Sequence, residues 1–135
     1  MDWKEHYTLD CTPMDDMHKE FIERVNALAL ADDASVLTAM KDLLHHFERH
    51  FAQENHWMNE SDFPPLHCHV GEHERVRAGL QSIIRVVENG NPCLGKTIAR
   101  EMESWFDHHA ATMDTALARH MRHVGYSPHH SGQNS

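Results

Sequence analysis

The sequence predicts an all-α protein, an antiparallel up-down-up-down four-helix bundle with an N-terminal arm. Three observations carry this. Strand-like alternation is nearly absent, four amphipathic stretches cover most of the chain, and the breaks between them are short. Short connections make sequential helices antiparallel neighbours. A chain of 135 residues suits a single domain with a real core. We expect the bundle over residues 1–126, with 1–11 as the arm, and a flexible polar tail over 127–135.

Each helix can be justified in turn. Thr12-Pro13-Met14-Asp15 reads as a helix start, with Thr12 as N-cap, Pro13 at the first helical position and Asp15 reaching back as in a capping box. Met14, Met17, His18, Phe21, Val25 and Leu28 form one stripe from there. Asp32 and Asp33 are caps for a second helix, whose inward face is Val36, Met40, Leu43, Phe47, His50, Glu54 and Met58. Phe63-Pro64-Pro65 forces a turn. The third helix carries Leu66, His69, Val70, His73, Val76, Leu80, Ile83 and Val87 and stops at Asn89-Gly90-Asn91-Pro92. The fourth carries Ile98, Met102, Trp105, His109, Met113 and Leu117 and runs to about His123. The stripe methionines Met14, Met17, Met40 and Met102 are expected as core fillers.

Bulk chemistry excludes several partners. The formal charge is -9, from 21 acidic and 12 basic residues, which argues against nucleic acid or an anionic membrane surface. No apolar run approaches the roughly 20 residues needed to cross a bilayer. Residues 1–12 contain no apolar core of a signal peptide. Cys11, Cys68 and Cys93 are odd in number and lack CxxC spacing, so free thiols in a reduced, cytoplasmic setting are expected.

The 15 histidines are the unusual feature, because every helix puts at least one on its buried stripe. These are His18, His50, His69 with His73, and His109. Spacing of four residues sets His50 over Glu54 and His69 over His73, offset by about 40° around the helix. Asp114 follows His109 by five, about 140° of rotation, so it is expected at the edge of the stripe, reaching the core sideways. Counting from the turns, all seven groups fall in the same half of an antiparallel bundle. Buried unpaired charge costs several kcal/mol, and five imidazoles with two carboxylates in one apolar core point to metal. That donor set suits iron, manganese, zinc or copper. Two six-coordinate ions offer about twelve positions; five imidazoles, two bridging carboxylates and one shared oxygen atom fill eleven and leave one open for a small ligand.

The ordered set His18, His50-x3-Glu54, His69-x3-His73 and His109-x4-Asp114 resembles the hemerythrin family, in its single-domain bacterial form. The neighbours match too: Asp15 three before His18, Phe51 after His50, Met58, Pro64 before His69, and Trp105 four before His109. Trp3 stands where the family often has an N-terminal tryptophan, so the resemblance spans the chain from Trp3 to about His120. It implies two non-haem iron ions bridged by an oxo or hydroxo group. His69, His73 and His109 would hold one iron, His18 and His50 the other, and Glu54 and Asp114 would bridge them. The family binds dioxygen reversibly at the iron with two histidines, so the implied function is oxygen storage, carriage or sensing. Its members occur as monomers or as oligomers, and a monomer or weak homo-oligomer is expected here.

Departures and bystanders complete the reading. Asn55 stands where relatives commonly have an acid, and Ala110 where isoleucine is common. Phe106 is expected to line the ligand pocket. His46, one turn before His50, is expected as a partly exposed helix histidine, with a supporting contact to the site as the alternative. His108 is expected to face solvent, Cys68 to be a free thiol, and His120, His123, His129 and His130 to be adventitious metal binders at most. An enzymatic alternative uses the same centre to reduce peroxide or nitric oxide or to oxidise ferrous iron; sequestration of iron is a third. Against oxidase chemistry, the chain lacks any Glu-x-x-His, the pairing that di-iron oxidases place on bundle helices.

Overall fold

The computed structural model describes residues 1–128. His129 and His130, and most of the expected tail, lie outside the described residues. The helices are α1 (Thr12–Leu30), α2 (Val36–Glu60), α3 (Leu66–Glu88), α4 (Gly95–His109) and α5 (Thr115–Val124). A π-helical turn over Ala110–Asp114 joins α4 to α5, so these three pieces make one fourth rod. Helix α2 packs on α1 and α3, and α1 packs on α4. The result is the expected all-α four-helix bundle. No helix among the described residues is long and apolar enough to cross a membrane.

The helix starts differ in detail from the expectation. Helix α1 already includes Thr12, with Cys11 as the flanking residue, and Thr12 makes no side-chain cap. Asp15 instead accepts the Leu9 N–H at 3.0 Å, because Asp10 turns the chain through the left-handed region (φ 54°) just before the helix. At α2, Asp32 rather than Asp33 closes the start: its carboxylate accepts the N–H and the hydroxyl of Ser35 at 3.0 and 2.9 Å. Gly90 (φ 105°) follows α3 as predicted. Gly95 opens α4 where a Cβ would sit 2.6 Å from Val36, so only glycine lets α4 approach α2 this closely.

The stripes of α1 and α2 are buried as read. On α3, Ile84 rather than Ile83 is the buried isoleucine, one position on from the expected stripe. The apolar core falls into two clusters. One contains Phe21, Val25, Leu28, Met40, Phe47, Leu80, Ile98 and Phe106. The other contains Met14, Met17, Trp57, Met58, Phe63, Leu117 and Met121. On each rod, the predicted polar residues fall between the two, as a layer. The arm closes one side: Tyr7 is fully buried, its ring 4.9 Å from Phe106, and its hydroxyl donates to Asp107 at 3.0 Å. Burial and that carboxylate push the Tyr7 phenol up from its ordinary value.

Candidate metal centre

All seven predicted side chains come together, and none is more than 4% exposed. Helix α1 supplies His18, α2 supplies His50 and Glu54, α3 supplies His69 and His73, and the fourth rod supplies His109 and Asp114. Glu54 Oε1 lies 3.4 Å from His69 Nε2 and 3.2 Å from His73 Nε2. Its Oε2 lies 2.5 Å from His50 Nε2 and 3.8 Å from His18 Nε2. Asp114 repeats the pattern, with Oδ1 3.3 Å from His69 and 3.0 Å from His109, and Oδ2 3.0 Å from His18. Each carboxylate therefore turns one oxygen to two of the imidazoles His69, His73 and His109, and the other to His18, which His50 joins at Glu54. Glu54, His69, His73, His109 and Asp114 can offer donors within 4.8 Å of one another, as can His18, His50 and Glu54.

The π turn corrects the sequence expectation for Asp114. In a continuous α-helix it would lie about 140° from His109. The i→i+5 bonding of a π turn takes up the extra residue and points Asp114 straight inward, fully buried. The Thr115 hydroxyl donates back to the Ala110 carbonyl at 2.7 Å and the Thr112 hydroxyl to that of His108 at 2.8 Å. Met113, expected on the inward stripe, is consequently half-buried, and Leu117 and Met121 keep the inner face.

The buried polar atoms are conspicuously under-satisfied. His18 Nε2, His73 Nε2, Glu54 Oε1 and both Asp114 oxygens find no hydrogen-bond partner, although several lie at ion-pair distance from one another. Donor atoms that face each other without aligned hydrogen bonds are what a cation between them would require. Burial works against a charge on His18 and His69, but contacts with Asp114 and Glu54 outweigh it and push both imidazoles up to about 9. Burial would raise Glu54, yet His50, His18 and His69 hold it well below the usual carboxylate range. Asp114 is likewise held low by His109 and His18, against burial and the Glu54 charge. Burial pushes His73 down.

Neighbours orient the imidazoles. His73 Nδ1 pairs with Asn55 Oδ1 at 3.1 Å, and the ring stacks on Phe51 at 4.0 Å. His109 stacks on Trp105 at 4.5 Å, and the Trp105 indole N–H donates to Glu72 at 2.9 Å. Phe106 lies edge-on to His18 at 4.9 Å. His108 and Cys68 are exposed, and the three cysteines are free. His46 is not partly exposed; it is buried (2%), because α1 covers it and brings Glu20 to 3.5 Å from Nδ1. Burial pushes its imidazole down to about 3, with the neighbouring His50 charge adding to the effect.

Residues 12–121 match the hemerythrin HHE cation binding domain. The chain belongs to the hemerythrin family. A bacteriohemerythrin from Ralstonia nicotianae is 37% identical over 115 residues, covering 85% of this chain and 84% of that relative. The match runs through all four rods of this hemerythrin fold. Of the neighbours, Glu72 carries no signal in the sequence, whereas Asn55 beside Glu54 and His46 one turn before His50 are both marked there by position.

Proposed function

We propose that the chain binds dioxygen reversibly, as a carrier or store rather than an enzyme, at a non-haem di-iron centre within the unit 1–126. His69, His73 and His109 would hold one iron and His18 and His50 the other. Glu54 and Asp114 would bridge them, with an oxo or hydroxo group completing the bridge. The observation that carries this is the orientation of the two carboxylates: Glu54 turns one oxygen to His69 and His73 and the other to His50 and His18, and Asp114 turns one to His69 and His109 and the other to His18. When bound, the iron pair supplies two electrons and an open position for a small diatomic ligand.

The chain's own residues favour release over bond cleavage. Five neutral donors against two carboxylates give little anionic donation, which oxidase chemistry needs. Phe106 packs edge-on to His18, and Tyr7 and Phe21 pack in turn on Phe106, an apolar wall that keeps water from the two-histidine side. Phe51 and Trp105 clamp the rings of the three-histidine side, so the asymmetry between the halves is built into the scaffold. The test is optical. The iron-loaded protein is reduced without oxygen, its visible spectrum recorded, air admitted, and oxygen removed again. A charge-transfer band that appears with oxygen and vanishes on its removal is expected. Irreversible conversion to a ferric form would shift the assignment to redox catalysis. No band, with two irons per chain confirmed, would sink oxygen binding.

A further inference from the structure

His46 is a costly residue for which the centre has no use. It is 2% exposed, and neither ring nitrogen makes an aligned hydrogen bond, although the Met17 backbone and Glu20 are near. A core position of this kind favours an apolar side chain, since a buried polar group without a partner is destabilising. What sits around it suggests a reason. On the outer side, Glu20 Oε2 lies 3.5 Å from His46 Nδ1, and the Glu20 side chain is 47% exposed. On the inner side, the His46 ring is 5.5 Å from that of His50, whose Nδ1 is also without a partner and whose Nε2 touches Glu54. His46, His50 and Glu54 are spaced by four, so they form a ladder up one buried face of α2. Phe21 flanks His46, ring to ring at 6.4 Å, and packs in turn on Phe47.

We propose that Glu20 and His46 form an outer, transient site for a divalent first-row metal ion, which feeds the position held by His18 and His50. This rests on the di-iron reading above. Two donors about 2.1 Å from one ion sit roughly 3.0–3.5 Å apart for octahedral to tetrahedral angles, which the Glu20–His46 separation of 3.5 Å matches. A mixed imidazole and carboxylate pair suits ferrous iron, and water completes the shell on the exposed side. With only two protein donors the ion is held weakly. The inner layer, richer in donors, draws it on, and the His46 ring, 5.5 Å from that of His50, stands between the two positions. Arg49, whose guanidinium is also 3.5 Å from Glu20 Oε2, occupies the carboxylate until a cation replaces it; its side chain is 59% exposed and free to swing out.

The test follows metal uptake, not oxygen binding. Metal-free protein is mixed anaerobically with ferrous ion, and in parallel with cobalt(II), whose visible bands report coordination, and both rate and final content are read. His46→Leu should load about tenfold or more slowly, and Glu20→Gln several-fold more slowly with a weaker salt dependence, since a mouth carboxylate raises local cation concentration. Both should reach the native final content, and Arg49→Gln should load faster than the native chain. Wild-type rates in His46→Leu and Glu20→Gln overturn the route and leave the di-iron reading intact. Should His46→Leu fail to fold, Glu20→Gln, altered at a half-exposed position, decides by the same criterion. No uptake of either metal by the native chain overturns the route and the di-iron reading together.

Discussion

Asn55 follows Glu54 on α2 and holds His73 from outside, Oδ1 to Nδ1 at 3.1 Å. Because the amide oxygen only accepts, it places the ring proton on Nδ1 and leaves Nε2 free to bind metal. A carboxylate in that place would pull harder on the proton and make the imidazole a stronger donor; the amide fixes the tautomer with less charge. Asn55→Leu should therefore weaken metal binding about 10–100-fold, the usual cost of losing such a support. Competition against a chelator of known affinity measures this, and an unchanged affinity would refute the role. At this scale the sequence was most informative about the seven donors, since a carboxylate or imidazole on an otherwise apolar stripe is too costly to bury without a partner. It was least informative about His46. Its spacing from His50 places it on the same stripe, but a polar residue at a stripe's border reads as exposed. Only the packing of α1 against α2 buries it and sets Glu20 beside it.

The fourth rod shows what periodicity can and cannot reveal about an element. The inner faces of α1 and α2, and that of α3 apart from Ile84 in place of Ile83, could be read from 3.6-residue spacing, because nothing interrupts those helices. The stretch from His109 to Asp114 breaks the period without changing its composition, so the extra residue appeared as a carboxylate out of line by about 140°. A π turn is in effect one residue inserted into an α-helix. Removing it should restore an ordinary helix with His and Asp four apart, still on one face. Deleting Thr112, which is exposed, is thus expected to lower stability by about 1 kcal/mol or less, or about 4 °C in Tm for a chain of this size, and to keep two metal ions per chain. Deleting the exposed Ala116, beyond the π turn, has no such insertion to absorb it. It rotates Leu117 and Met121 by about 100° off the core, each worth about 2–5 kcal/mol when lost, and should unfold that end of the bundle. Melting curves and metal content of the two deletions check the point; equal damage from both would show that the π turn is no insertion. The helix starts illustrate a smaller loss. Thr12 and Asp33 fit capping rules as well as Asp15 and Asp32 do, and the arm and the loop decide between them.

In the whole molecule, the polar layer divides one apolar core from the other, and this makes the bundle's stability depend on what the layer contains. Among the described residues the two clusters are separate, and His18, His50, Glu54, His69, His73, His109 and Asp114 lie between them along the rods, every one buried. Without metal, these groups rely on one another: the imidazoles of His18 and His69 balance the carboxylates, and several donor atoms go unsatisfied. Metal changes that balance in favour of the folded chain, since the unfolded chain cannot assemble donors from four helices. By mass action, each site saturated at about 100 times its dissociation constant adds about 2.7 kcal/mol. Two sites give about 5 kcal/mol, a rise in Tm on the order of 20 °C. Thermal unfolding followed by circular dichroism should show this rise when ferrous ion is added anaerobically to the metal-free protein, and a strong chelator should reverse it. The effect should be halved, not abolished, in His18→Leu, which removes a donor from the two-histidine side alone. A Tm indifferent to ferrous ion would mean that the layer is held by its own ion pairs, and the centre proposed here would fall.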